Sequence, residues 1–250
     1  MVGTARIVYV GHSTVLVDMD GVRLLTDPML RHRVAHLRRA CKVETKALRG
    51  VDAVLVSHLH YDHLDVPSLE KLGRELPIVV PRGAGRWLTR KGFRAVSEIG
   101  VDDELQIGAL TVRGTAASHD SGRLPFGVRA DPVGYLIAGP RSVYFAGDTD
   151  VFPEMTAIGP VDVSLLPIWG WGPSLGAGHM DPGRAAEAAR LLGTATAIPI
   201  HWGTYFPVHL GLRGTPAFVE EPPATFAARV REIAPACQVR VLQPGEEAVV

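Results

Sequence analysis

One segment constrains this chain more than any other. A short, mostly apolar run, Ala53-Val54-Leu55-Val56-Ser57, passes without a break into His58-Leu59-His60-Tyr61-Asp62-His63. A run of that kind reads as a strand covered on both faces. At this chain's own histidine and aspartate frequencies, such a pattern arises by chance in about one in a thousand chains. Where a strand gives way to a loop, alternate side chains point the same way, so His58 and His60 can grip one metal ion. Asp62 and His63, where the chain bends toward a helix, face a neighbouring position. Imidazole with carboxylate suits zinc and tolerates manganese or iron. The competing reading is a histidine-rich turn that holds no metal.

A metal site needs more ligands than this segment supplies, and the chain offers them where other apolar runs end. His119 follows the strand-like Leu110 to Ala116, Asp148 follows Ser142 to Ala146, and His201 follows Ala195 to Ile200. Singly, each is as well explained as a hydrogen-bonded structural residue. Together with the cluster they give the candidate ligands His58, His60, Asp62, His63, His119, Asp148 and His201, enough for two metal ions bridged by one carboxylate.

The remaining pattern predicts hairpins first and mixed strand–helix units afterwards. Arg6 to Val10, Thr14 to Asp18 and Val22 to Thr26 read as strands, with Asp20-Gly21 as a two-residue hairpin turn. Pro28 to Gly50 reads as a long surface loop. Asp65 caps a helix carrying Leu69, Leu72 and Leu76, Ile78 to Val80 is a strand, and Gly85 to Lys91 a short helix closed by Gly92. Val133 to Ala138, Val163 to Pro167 and Val239 to Leu242 are further strands. Asp181 and Pro182 open a helix that Gly193 stops, and Thr225 to Ala234 forms another after a turn at Glu220 to Pro223. This order predicts an α+β fold: two sheets face to face with helices outside, as one domain over residues 1–250. Val51-Asp52-Ala53-Val54-Leu55 and Val161-Asp162-Val163-Ser164-Leu165 are faintly alike and hint at an internal duplication.

Composition narrows the partners. Lys plus Arg and Asp plus Glu both number 26, so the net charge is zero and no general basic field argues for nucleic acid. A local patch of Arg31, Arg33, Arg38, Arg39 and Lys42, with His32 and His36 interleaved, reads as a solvated loop face. Cys41 and Cys237 fit no metal or redox spacing and read as small buried hydrophobes. No secretory layout or membrane-length apolar run is present, which predicts a soluble, cytoplasmic protein with a small-molecule substrate. Oligomeric state is not legible.

The chain resembles the metallo-β-lactamase superfamily, whose H-x-H-x-D-H signature is matched by His58 to His63. Within it the resemblance is to the branch of ascorbate-6-phosphate lactonases and N-acylphosphatidylethanolamine-hydrolysing phospholipase D enzymes. The matching segments are Gly11-His12-Ser13-Thr14, Thr26-Asp27-Pro28, His119 to Arg123, His179 to Pro182 and His201 to Thr204, in order along almost the whole chain. The resemblance implies an αββα sandwich. It implies that His58, His60 and His119 hold one ion, and Asp62, His63 and His201 the other, with Asp148 bridging. Aspartate rather than cysteine at the bridging position argues for two metals, and His60 against redox di-iron relatives that place a glutamate there.

The expected enzyme is therefore a hydrolase with two divalent ions, zinc or manganese. Its metal-activated hydroxide attacks a phosphodiester, lactone or ester. Asp62 helps to orient the attacking group, and His179 binds a substrate anion, protonates the leaving group, or ties down its own glycine-rich loop. His12, Asp27, Ser118 and Thr149 are expected to orient ligands. Trp169, Trp171, Trp202, Tyr205 and Phe206 are expected to wall an apolar pocket. The rival readings are an iron-dependent oxygenase of the same fold and a metal-dependent nuclease with the Arg31 to Lys42 loop lining its cleft.

Overall fold

The computed structural model describes residues 3–43, 48–121, 128–213 and 216–250, and the side chains of 211–213 are not described. The end of the H-x-S-G-R segment, Gly122 and Arg123, and part of the Pro28 to Gly50 stretch lie outside the described residues.

Twice the chain runs through antiparallel strands and then switches to parallel ones. In the first half β1 (Ala5–Gly11), β2 (Thr14–Met19) and β3 (Val22–Thr26) are antiparallel neighbours. Strands β4 (Arg33–Val34) and β5 (Leu37–Arg39) then leave the sheet. Strands β6 (Ala53–Leu55), β7 (Ile78–Pro81) and β8 (Val96–Ile99) add on in parallel, with α1 (Val66–Leu72) and α2 (Gly85–Arg90) as crossovers. The second half repeats this with antiparallel β9 (Glu104–Ile107), β10 (Leu110–Ala116), β11 (Val133–Ala138) and β12 (Ser142–Phe145). Parallel β13 (Val163–Pro167), β14 (Thr196–Ile200) and β16 (Gln238–Val239) follow, with α3 (Pro182–Leu191), β15 (Tyr205–Pro207) and α4 (Pro222–Ile233) between them. The last strand, β17 (Glu247–Val249), returns to β1.

Among the described residues these strands form two seven-stranded sheets, β17-β1-β2-β3-β6-β7-β8 and β16-β14-β13-β12-β11-β10-β9, and a small sheet β15-β5-β4. Strand alternation sends one set of side chains inward and the other outward. Ile7, Val17 and Leu24 of the first sheet share one core with Val112, Tyr135 and Leu165 of the second. On the outer side of the first sheet, Val8, Leu16 and Leu25 pack with Leu69 of α1 and Leu88 of α2. The alanines of α3 and Phe226 and Val230 of α4 join the shared core cluster on the second sheet's side. The result is the expected αββα sandwich. No helix among the described residues is long and apolar enough to cross a membrane.

The faint repeat has a structural counterpart. Asp52 accepts the backbone N–H of Arg23 at 2.8 Å, and Asp162 accepts that of Ser142 at 2.7 Å. Each aspartate thus ties the start of a parallel strand to the start of the hairpin strand beside it, at matching register: Leu24 with Ala53, Val143 with Val163.

Several boundaries differ from the sequence expectation. Asp20 and Gly21 take φ of 51° and 74°, as the primed hairpin turn requires. Helix α1 stops at Leu72, because Gly73 adopts φ 117° and Leu76 falls beyond it. Helix α4 begins on Pro222, so Pro222 and Pro223 form its first turn rather than a separate turn. Strands β8, β9 and β17 are short and largely exposed, and the sequence pattern does not predict them. The arginine-rich stretch is not simply a loop, since it forms β4 and β5. Arg39 on β5 is only 2% exposed, contrary to a solvated face, and Arg31 pairs with buried Asp65. Both cysteines are half-buried and free.

Candidate metal centre

The site is assembled where strands of both sheets end. Beyond β6 the chain turns at once, with His63 and Leu64 N–H both donating to the His60 carbonyl, which bundles His58, His60, Asp62 and His63. His119 follows β10, Asp148 follows β12 and His201 follows β14. Gly147, at φ 62°, lets the Asp148 loop approach β6 closely, since a Cβ there would sit 2.6 Å from the Cβ of Ser57. Thr149 Oγ1 accepts the Ser118 N–H at 2.8 Å and so locks the His119 loop beside the Asp148 loop. Of the non-glycine residues with positive φ, three lie at the site: His12 (59°), Asp27 (33°) and His201 (62°). Such strain persists only where the surroundings enforce it.

The proton inventory shows what the cluster can hold. His58 Nε2 and His119 Nε2 each lie 3.1 Å from His60 Nδ1. His119 Nδ1 faces the Gly178 carbonyl at 2.8 Å, so Nδ1 carries the hydrogen and Nε2 is a lone pair. His58 Nδ1 lies 2.9 Å from Ser57 Oγ, whose own hydrogen goes to Asp27 Oδ2 at 2.6 Å, which again leaves Nε2 bare. Three imidazole nitrogens thus converge with one proton at most between them.

Beside them is a second group. His63 Nδ1 donates to Asp27 Oδ2 at 2.7 Å and His201 Nδ1 to the Trp169 carbonyl at 2.7 Å, so in the neutral imidazole each Nε2 is a lone pair, and the two lie 3.3 Å apart. Between them lies Asp148, with Oδ2 3.1 Å from His63 Nε2 and Oδ1 3.3 Å from His201 Nε2. Asp148 Oδ1 is buried without a hydrogen-bond partner. Asp62 Oδ2 sits 3.8 Å from His63 Nε2 and accepts from His12 Nε2 at 3.1 Å. Donor atoms of His12, Asp62, His63 and His201 all fall within 4.8 Å of one another, as do those of His119, Asp148 and His179. Asp148 therefore borders both groups.

Electrostatics agree with this inventory. Burial holds His58 well below the ordinary histidine range and His119 at about 4, so both are neutral donors of lone pairs. Burial also raises the Asp148 carboxyl, but His201 and His63 outweigh it and keep it ionised. Asp62 follows the same balance through His63 and His12. His63 is the exception: against burial, Asp148 and Asp62 push it well above its usual value. The buried carboxylates therefore require positive charge between them, which a proton or a metal cation can supply. The residues present fit two cations.

All seven sequence-derived ligand candidates come together here. His12 bonds Asp62 and Asp27 bonds His63, and donor atoms of both fall within 4.8 Å of candidate ligands. His179 Nε2 is 3.4 Å from Asp148 Oδ2, and its Nδ1 faces the carbonyls of Gly176 and Ala177 at 3.2 Å. Nothing in the sequence points to the carbonyls of Gly178 and Trp169, since backbone acceptors carry no side-chain signature; Ser57 is recognisable from its place next to His58. The aromatic wall needs correction. Trp202, Tyr205 and Phe206 are 3%, 2% and 1% exposed and serve as packing, with Trp202 stacked on Tyr9. Trp169 is partly exposed and lines a cavity of about 470 Å³ with Pro182, Phe218 and Pro222.

The profile of the β-lactamase superfamily domain matches residues 22–202. The chain belongs to this superfamily. A metal-dependent hydrolase of Rubrobacter xylanophilus is 31% identical over 99% of this chain and 97% of its own. An uncharacterized protein of Mycobacterium tuberculosis is 34% identical over 78% of this chain, which spans only 58% of that relative's length. An N-acyl-phosphatidylethanolamine-hydrolyzing phospholipase D of Caenorhabditis elegans is 30% identical over 79% of this chain and 63% of its own. Among solved structures, a metallo hydrolase of Ignicoccus hospitalis superposes with TM-score 0.76 at 27% identity, covering 99% and 98% of the two chains. The di-iron β-hydroxylase CmlA of Streptomyces venezuelae gives TM-score 0.73 at 20% identity, over 99% of this chain and 54% of its own, a likeness of fold alone. The fold and superfamily expected from the sequence are those found.

Proposed function

We propose that this β-lactamase-superfamily protein is a dinuclear metal-dependent hydrolase acting on a phosphodiester, lactone or ester, with zinc as its resident metal and manganese as an active substitute. The observation that carries the reading is the convergence of imidazole nitrogens and ionised carboxylates, with His58, His119 and His201 hydrogen-bonded through Nδ1 so that Nε2 faces the cluster. His58, His60 and His119 would hold one ion, Asp62, His63 and His201 the other, and Asp148 would bridge. Ions bound there would supply Lewis acidity and lower the pKa of a water toward neutrality. Asp62, fixed by His12, orients the attacking water. His179 is held by two backbone carbonyls with Nε2 turned toward Asp148, where it meets a substrate anion or hands a proton to the leaving group. Trp169, whose carbonyl holds His201 and whose side chain lines the cavity, is the candidate contact for an apolar part of the substrate. The kinship with the phospholipase of C. elegans supports a phosphodiester first.

Elemental analysis of protein purified without added metal, with assays on bis(p-nitrophenyl) phosphate and simple lactones, tests this. About two zinc or manganese ions per chain with hydrolysis of at least one substrate class is the expected result. A single iron per chain with oxygen uptake and no hydrolysis would move the oxygenase reading to first place. His179→Gln is expected to lower kcat by ~10²- to 10⁴-fold while metal content stays at the parent value. A loss of metal instead would make His179 a ligand.

A further inference from the structure

The small sheet holds a buried charge that the proposed chemistry does not use. The Arg39 guanidinium is enclosed, and among the described residues no carboxylate forms an ion pair with it. Its acceptors are neutral. Nη1 donates to the Met29 carbonyl at 2.7 Å and to Tyr205 Oη at 3.2 Å, and Nη2 donates to the Val10 carbonyl at 2.6 Å. Among the described residues Nε has no partner, and the guanidinium carbon lies 5.3 Å from the centre of the Tyr205 ring. A buried cation that meets only neutral acceptors among the described residues is costly, so this arrangement calls for a reason beyond packing.

The two carbonyls supply one. Val10 stands two residues before His12, and Met29 two residues after Asp27. The single guanidinium therefore ties together the two segments whose His12 and Asp27 adopt positive φ. Gly11, between Val10 and His12, has no room for a side chain, because a Cβ would lie 2.6 Å from Arg39 Nη2 and 2.9 Å from Thr204 Oγ1. What these segments support is uneven. His12 Nε2 bonds Asp62, the His12 carbonyl accepts the His201 N–H at 2.8 Å, and Asp27 accepts from His63. All three ligands assigned to the second ion thus rest on the pair that Arg39 clamps. The first group depends on it less, since His119 is set by Gly178, and only His58, through Ser57, reaches Asp27.

We infer that Arg39 is a positioning residue for one of the two metal sites, a fork that fixes the His12 and Asp27 segments and so the affinity for the ion held by Asp62, His63 and His201. Resting as it does on the dinuclear reading, this inference predicts a selective effect. A planar fork with several donors can hold two carbonyls and a hydroxyl at once, and a lysine ammonium in the same space cannot reproduce that geometry.

The test is a Zn²⁺ titration by isothermal calorimetry of chelator-stripped full-length protein, as parent, Arg39→Met and Arg39→Lys, with circular dichroism to establish folding. The expected result is a second-ion dissociation constant ~10- to 100-fold weaker in both variants, the range typical of residues that hold metal ligands in place. The first ion should bind as in the parent. If Arg39→Met does not fold, Arg39→Lys carries the test alone. Two parent-like affinities in a folded variant, or equal weakening of both ions, would overturn the inference while leaving the dinuclear reading intact. A lysine variant indistinguishable from the parent would show that charge rather than the fork matters and would also overturn it. A parent that binds only one ion would overturn the dinuclear reading itself, and this inference with it.

Discussion

Replacing Asp148 by alanine is expected to remove both metal ions together and to lower kcat/KM by at least ~10³-fold, equivalent to ~4 kcal/mol of transition-state stabilisation. The expectation follows from position. Asp148 is the carboxylate that borders both donor groups, with one oxygen 3.1 Å from His63 Nε2, the other 3.3 Å from His201 Nε2, and His119 within the same cluster. Without it, six histidine and aspartate ligands remain in the proposed sets, but the negative charge shared between them is gone. Asp148→Asn keeps the shape and brings an NH₂ donor where only acceptors are wanted, so its metal content should fall as far. Elemental analysis beside hydrolysis assays reads both effects. Retention of two ions by the alanine variant would show that Asp148 is not the bridge. Loss of a single ion would assign it to one site only.

Much of this cluster was legible in the sequence because its candidate ligands are side chains placed at the ends of apolar runs. The run at β6 and the histidines after it announce both strand and site, and β10, β12 and β14 each terminate in a residue of metal-binding type. The hairpin at Asp20-Gly21 and the helix from Asp181 to Gly193 were legible for the same reason, since turn and cap chemistry is local. What escaped the sequence is whatever depends on distant partners. Strand β17 exists because its backbone pairs with β1 across the whole chain, and its alternation of exposed and buried residues is too short to be read alone. Arg39 looked like one charge in a basic stretch, yet the sheet formed with β15 turns it inward under Tyr205. Trp202, Tyr205 and Phe206 looked like pocket walls because they follow a ligand; the packing of β15 against β5 makes them interior. Similarly, the carbonyls that set the tautomers of His119 and His201 are invisible until the loops are folded.

Stripping the metals is expected to lower the melting temperature by roughly 10 °C or more, with the drop reversed by adding Zn²⁺. An ion that binds the folded chain and not the unfolded one stabilises by RT ln(1 + [L]/Kd), about 4 kcal/mol at a thousandfold excess over Kd. In a domain of this size each kcal/mol moves the midpoint by about 2–4 °C. The sign follows from the donor inventory: the inward nitrogens of His58, His119, His63 and His201 converge on small volumes with ionised Asp62 and Asp148, and among the described residues the positive charge that the site itself offers is a proton, on His63 foremost. Part of the loss will be offset by the proton that His63 takes up between the two carboxylates, whereas the group of His58, His60 and His119 has no comparable carboxylate pair and keeps its lone-pair repulsion. Calorimetric scans of the parent before and after chelation, with metal removal verified by elemental analysis, read the shift. A metal-free protein melting within ~2 °C of the loaded one would mean that the donors are held together by the surrounding fold alone, and that the cations contribute chemistry without contributing to the folded state.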